Sequence, residues 1–104
     1  MSRRSSRGIS QEARKFLIES YYGRCQYCNR AGDTLDHIIP LSKGGARGAT
    51  NITLACEACN SDKGDQIYPE SITKPLLEAA ETRVVVMASR GVGTRTKKRN
   101  KKIE

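Results

Sequence analysis

The sequence has few of the side chains that build a large hydrophobic core. Among its 104 residues there is no tryptophan, one phenylalanine and four tyrosines. The length allows one small domain, and a core with so little aromatic surface usually needs a covalent or metal cross-link to be stable. The sequence therefore predicts a single small domain that is stabilised by more than apolar burial.

Long apolar segments are also lacking. No run of the sequence is long or apolar enough to span a membrane. The basic residues 1–8 are not followed by the apolar stretch of a secretory signal. We therefore expect a cytoplasmic protein without a membrane partner, in which thiols stay reduced.

Four cysteines form two pairs, Cys25 with Cys28 and Cys56 with Cys59. Two residues separate the members of each pair, a spacing that is compatible with disulfides, with a redox-active motif or with a tetrahedral zinc site. Because we expect a reducing compartment, the favoured interpretation is one structural Zn²⁺ ion held by four thiolates.

The formal net charge of +8 is unevenly distributed along the chain. Residues 1–30 carry seven basic and two acidic side chains, residues 31–70 carry three and six, and residues 71–104 carry nine and three. Basic arms attract phosphate backbones, but they are also typical of solvated tails. Charge alone leaves nucleic-acid binding and plain solubility open, whereas an acidic centre in a nucleic-acid binder indicates bound cations.

Local signals predict a helix before the first cysteine pair. Ser10 is a suitable N-cap for a helix over residues 11–22, and Gly23 is suited to its end. The apolar side chains recur there at helical spacing, and they are Ala13, Phe16, Leu17 and Tyr21.

The centre of the chain is predicted to form strand, loop, strand and helix. Residues 35–39 and 50–55 are β-prone runs that should pair antiparallel, joined by a glycine-rich basic loop over residues 42–49. A helix should follow over residues 56–63, with Gly64 at its end.

A last helix is predicted to begin at Pro75, after an irregular segment over residues 67–73. It should end near Gly91, and a strand over the β-branched residues 84–86 is the alternative. Its predicted buried stripe consists of Leu76, Leu77, Ala80, Val84 and Met87.

Three side chains of the central unit indicate metal-dependent chemistry. Asp36 and His37 are adjacent on the first predicted strand, and Asn60 follows the last cysteine. Carboxylate and amide oxygens suit Mg²⁺, and an imidazole titrates close enough to neutrality to accept a proton from water. Because neighbours on an ideal strand point to opposite faces, Asp36 and His37 can serve one site only if the strand ends or bulges there. A metal, a base and basic surroundings together favour phosphodiester hydrolysis.

Each of these residues also has a structural interpretation. His37 could be a satisfied structural histidine, and Asp36 could accept a surface hydrogen bond. Asn51 and Asn60 could be turn and capping residues, and Lys63 could be solvated instead of contacting a phosphate.

The central segment resembles the HNH endonuclease family, also called the ββα-metal or treble-clef nucleases. The resemblance covers residues 25–64. It lies in the combined pattern Cys25-x2-Cys28, LDHIIPL from Leu35, Gly44-Gly45, TNITLAC from Thr50, and Cys59-Asn60-x2-Lys63-Gly64.

This resemblance implies an α+β fold, a small zinc-stabilised domain with a ββα-metal, treble-clef-like core and one helix at each end. The expected boundaries are a flexible basic arm over residues 1–8, a nuclease domain over residues 9–90 with its core at about 25–66, and a disordered basic tail over residues 91–104.

By the same resemblance, His37 is the general base and Asp36 binds the catalytic metal. Asn51 fixes the loop between the strands and helps to orient the base. Asn60 replaces the last histidine of the H-N-H signature, as in H-N-N variants that still bind metal. Because both ligands are then oxygens, we expect Mg²⁺ or Mn²⁺ to support cleavage and Ni²⁺ or Zn²⁺ to support it poorly. The alternative is a zinc-stabilised nucleic-acid-binding module without catalysis.

The expected substrate is DNA, held mainly through its phosphate backbone, and no small-molecule substrate is expected. A homodimer or phage packaging proteins are compatible further partners, by analogy with phage-encoded or mobile-element members of the family. The predicted DNA-contacting residues are Arg3, Arg4, Arg7, Lys43, Arg47, Lys63, Arg95, Lys97, Lys98, Arg99, Lys101 and Lys102.

Overall fold

The computed structural model describes residues 9–93, so the predicted arm over residues 1–8 and most of the predicted tail lie outside the described residues. The described part has three helices, α1 (Gln11–Ser20), α2 (Glu57–Lys63) and α3 (Glu70–Ser89). It has two strands, β1 (Thr34–His37) and β2 (Ile52–Ala55), separated by the 3₁₀ turns Leu41–Lys43 and Ala49–Asn51. The α+β arrangement with a helix on each side of a ββα unit is the predicted one.

Helix α1 begins where the sequence indicated. The Ser10 side chain accepts a hydrogen bond from the backbone N–H of Ala13 at 3.0 Å, which confirms the predicted N-cap. The helix ends at Ser20, two residues earlier than predicted, because Tyr22 and Gly23 both adopt positive φ angles, of 57° and 67°.

The two strands pair antiparallel, as predicted, with Thr34 opposite Ala55 and His37 opposite Ile52. Strand β2 begins two residues later than predicted, because residues 49–51 form a 3₁₀ turn. All four residues of β2 are buried, since α1 and α3 both pack against this strand. The buried core between these elements consists of Ile9, Ala13, Leu17, Tyr21, Leu35, Ala49, Ile52, Leu54 and Met87.

Helix α3 differs from the prediction at its start. It begins at Glu70, after the cap residue Pro69, and Pro75 lies inside it. The irregular segment predicted over residues 67–73 therefore ends at residue 69, and the strand alternative over residues 84–86 is wrong. Burial explains the longer helix, because Thr73 extends the buried stripe one turn towards the N-terminus, in step with Leu76 and the residues that follow. Across residues 9–93 no helix, α3 included, has the apolar length that a membrane span needs.

Candidate active site

The four cysteine sulfurs converge in one cluster, although Cys28 and Cys56 are 28 residues apart in sequence. All four Sγ atoms lie within 4.8 Å of one another, and those of Cys28 and Cys56 are 3.7 Å apart. A tetrahedral zinc ion with Zn–S bonds of about 2.3 Å holds its sulfurs roughly 3.8 Å apart. The cluster can therefore hold a zinc ion, which would join the loop before β1 to the start of α2.

Backbone donors favour the thiolate form at Cys25. Tyr27 and Cys28 donate their N–H groups to Cys25 Sγ over 3.3 and 3.4 Å. Burial raises the pKa of Cys25, but the N–H groups of Cys28, Cys56 and Tyr27 outweigh it, and the pKa falls from 9.0 to about 7. Burial and then the three neighbouring cysteine side chains raise the pKa of Cys59 from 9.0 to about 12. Four thiolates this close together need a divalent cation to balance their charge.

Helix α2 covers the edge of β1 that faces away from β2. Asn60 donates from Nδ2 to Thr34 Oγ1 at 3.1 Å and to the Leu35 carbonyl at 3.3 Å. Almost one helical turn later, Lys63 donates from Nζ to the His37 carbonyl at 2.9 Å. Because carbonyls two residues apart on a strand point to the same edge, these two side chains satisfy successive acceptors of β1. The Asn60 amide oxygen is thereby turned away from the strand.

Asp36 is buried beside α2, with 5% of its surface exposed. Its Oδ2 accepts a hydrogen bond from the Tyr27 hydroxyl at 2.7 Å and forms an ion pair with Lys63 Nζ at 3.2 Å. The sequence had left Lys63 as a phosphate contact or a solvated side chain, but its side chain is only 1% exposed. An ammonium can be buried in this way because a carboxylate and a carbonyl satisfy it. Within residues 9–93 both contacts are to Oδ2, and Oδ1 makes no hydrogen bond.

His37 is the last residue of β1, so the strand ends where Asp36 and His37 would need to serve one site. The half-buried imidazole has an enclosed Nε2 atom that makes no hydrogen bond to any described residue. Burial lowers the pKa of His37 below its usual 6.5; the Arg47 backbone and the Asp36 charge oppose this shift, and the charges of Lys63 and Arg47 add to it. The ring is therefore neutral near pH 7.

Asn51 holds the loop between the two strands closed. Its side chain accepts a hydrogen bond from the Ile39 N–H at 2.9 Å, and donates to the carbonyls of Ile39 at 2.9 Å and Ala46 at 2.8 Å. Gly45 lies so close to this clamp that a Cβ there would overlap the Ile39 carbonyl and come within 2.8 Å of Asn51 Nδ2. The loop that carries Arg47 is thus fixed beside the His37 ring.

The structure brings only part of the predicted DNA-contacting set near this site. Arg47 is exposed on the loop beside His37, and Lys43 is exposed but pairs with Asp65, with Nζ and Oδ2 3.7 Å apart. Lys63 is buried, as described above. The other predicted contacts lie outside the described residues, namely Arg3, Arg4, Arg7, Arg95, Lys97, Lys98, Arg99, Lys101 and Lys102.

Sequence reasoning missed two contributors to the site, Tyr27 and the buried role of Lys63. Helical spacing could have indicated the second, because Lys63 follows Asn60 by three residues and so shares its face of α2. For Tyr27 the sequence carries no comparable signal, since nothing in the spacing of a cysteine pair says where the residue between its members points.

Residues 25–66 match the family model described as HNH endonuclease. The matched segment contains both cysteine pairs, the β-hairpin and α2, and it confirms the resemblance found in the sequence. The match supports a nuclease-type or nucleic-acid-binding role for this segment. Comparison with curated proteins gave no match, and comparison with solved structures gave none either.

Proposed function

We propose that the protein is a metal-dependent DNA endonuclease of the HNH type in which His37 is the general base. The observation that carries this proposal is the half-buried His37 ring at the end of β1, directly after the buried Asp36 and beside the loop of Arg47. The adjacent Asp36 and the matched family give that role its chemistry.

The oxygens of Asp36 and Asn60 are suited to hold a catalytic Mg²⁺ or Mn²⁺ ion. Asp36 is bonded through Oδ2 alone, and Asn60 uses its amide nitrogen on β1, so each side chain retains an oxygen without a hydrogen bond to the described residues. Oxygen ligands favour these hard cations over softer ones. A bound divalent ion would supply positive charge at the scissile phosphate and the departing 3′ oxygen.

The chain's own residues supply the rest of the mechanism. The neutral His37 ring accepts a proton from the attacking water, and Asn51 keeps the loop in place around the ring. Arg47, exposed on that loop, and the basic residues outside the described part contact the DNA backbone. Because such contacts are mainly ionic, binding should weaken with salt and depend little on sequence.

One observation favours the alternative of a nucleic-acid-binding module without catalysis. The Asp36 carboxylate already has a cationic partner in Lys63, 3.2 Å away, so the fold can satisfy its charge without a second metal. The two functions differ in the role of His37, because a binding module without catalysis needs no general base.

Cleavage of supercoiled, linear and branched DNA by the wild type and His37→Ala separates them. The nuclease should cut with Mg²⁺ or Mn²⁺ and poorly with Ni²⁺ or Zn²⁺, and His37→Ala should lose about 10² to 10⁴-fold in rate while it keeps its zinc, its melting temperature and most of its DNA affinity. Zinc content must be measured in every sample, because a chelator used to remove Mg²⁺ can also reach the cysteine cluster. Absence of metal-dependent cleavage in both proteins would support the binding module instead.

A further inference from the structure

We propose that Lys63 is the counter-ion of Asp36 when no divalent ion is bound. It is also a positioning residue, because it orients the Asp36 carboxylate for binding that ion. Tyr27 is the second support of the same carboxylate. The inference deepens the proposed function and rests on it in one respect, that Asp36 is a ligand of the catalytic ion.

The position of the Lys63 ammonium is the first argument. The side chain is 1% exposed, and its Nζ lies 3.2 Å from Asp36 Oδ2 and 2.9 Å from the His37 carbonyl. One ammonium therefore holds the backbone of the proposed base and the side chain of the proposed ligand. The Tyr68 ring lies next to the same ammonium, with its centroid 5.9 Å from Nζ.

Orientation of the carboxylate is the second argument. Tyr27 donates its hydroxyl to the same Oδ2 atom at 2.7 Å, and its ring is held edge-on against Tyr68 with centroids 5.5 Å apart. Two donors on one oxygen fix the rotation of the carboxylate and leave Oδ1 for another ligand.

The pair also has a thermodynamic consequence. Removing one partner of a buried ion pair leaves an uncompensated charge, whereas removing both is often nearly neutral. Without Lys63, the buried Asp36 carboxylate would have to find its counter-charge elsewhere. A divalent ion bound at Asp36 can supply that charge, so the loss of Lys63 should make stability depend on this ion.

Thermal unfolding of zinc-loaded Lys63→Met, with and without added Mn²⁺, tests the proposal. Without Mn²⁺ the melting temperature should fall by roughly 10–20 °C, and Mn²⁺ should raise it more than it raises that of the wild type. Lys43→Met is the matched control, because Lys43 pairs with Asp65 at 3.7 Å but both side chains are well exposed, so its loss should shift the melting temperature little. A shift for Lys63→Met no larger than the control's, or equal increments with Mn²⁺, would overturn the proposal.

A second variant keeps the test decisive if Lys63→Met does not fold. The double variant Asp36→Asn/Lys63→Met removes both charges but keeps an acceptor for the Tyr27 hydroxyl, so it should fold and melt closer to the wild type than the single variant does. A double variant that melts no closer to the wild type than Lys63→Met does would overturn the counter-ion role.

Cleavage by the wild type, measured separately, distinguishes this inference from the proposed function. Absence of cleavage together with a larger Mn²⁺ increment in Lys63→Met would overturn the nuclease and leave the role of Lys63 standing. Cleavage together with equal increments would overturn the role of Lys63 alone.

Discussion

Replacement of Asn51 by alanine should loosen the loop that surrounds the proposed base. The residue is 3% exposed, and its side chain makes three hydrogen bonds, to the Ile39 N–H, the Ile39 carbonyl and the Ala46 carbonyl. At a net contribution of about 1 kcal/mol each, their loss costs roughly 3 kcal/mol of unfolding free energy. With a urea m-value of about 1.5 kcal/mol/M for a domain of this size, the unfolding midpoint should fall by about 2 M.

Urea unfolding of zinc-loaded protein, followed by circular dichroism, measures this shift. Thr50→Ala is the matched control, since Thr50 is the exposed neighbour of Asn51 in the same 3₁₀ turn. Asn51→Asp sharpens the test, because it keeps the shape and the acceptor but turns a carboxylate oxygen towards two carbonyls. A midpoint for Asn51→Asp equal to that of the wild type, or for Asn51→Ala equal to that of Thr50→Ala, would refute the clamp.

Three further predictions concern the metal cluster, the loop and the base. Cys56→Ser should lower both the zinc content and the melting temperature, because a structural zinc ion and the fold depend on each other; an unchanged melting temperature would argue against a four-cysteine site. Gly45→Ala should cost about 1–3 kcal/mol in urea unfolding because its Cβ would overlap the Ile39 carbonyl, whereas Gly48→Ala, with no atom within 4 Å of the added Cβ, should cost less. Because burial lowers the pKa of His37, the neutral base persists below pH 6.5, so the acid limb of the cleavage rate should lie below that pH; a limb above it would contradict the assignment.

Much of the central unit could be predicted from the sequence because its signals are local. The paired cysteines, the Ser10 cap and the two β-prone runs each constrain the chain over a few residues, and the zinc spacing brings these segments together. The sequence could state only the condition under which Asp36 and His37 could serve one site, which is that β1 ends or bulges there. The strand does end at His37, and Asn51 bonds to the backbone of Ile39 two residues further on.

The parts that could not be predicted depend on tertiary packing. Pro75 was expected at a helix start, but burial of Thr73 extends α3 back to Glu70, which places Pro75 in the second turn, where it removes one backbone hydrogen bond. Lys63 was expected at the surface because lysine is rarely buried, and only the combined positions of Asp36 and the His37 carbonyl make its burial favourable.

The side chains of α2 that bond to β1 have a consequence for the solubility of the protein. A two-stranded sheet has two edges, and an open edge offers free carbonyls to the strand of another molecule. Asn60 and Lys63 occupy the acceptors of Leu35 and His37 on the outer edge of β1, so this edge resists intermolecular pairing. Variants at either position should therefore be examined for concentration-dependent association, since self-association could mimic a loss of activity.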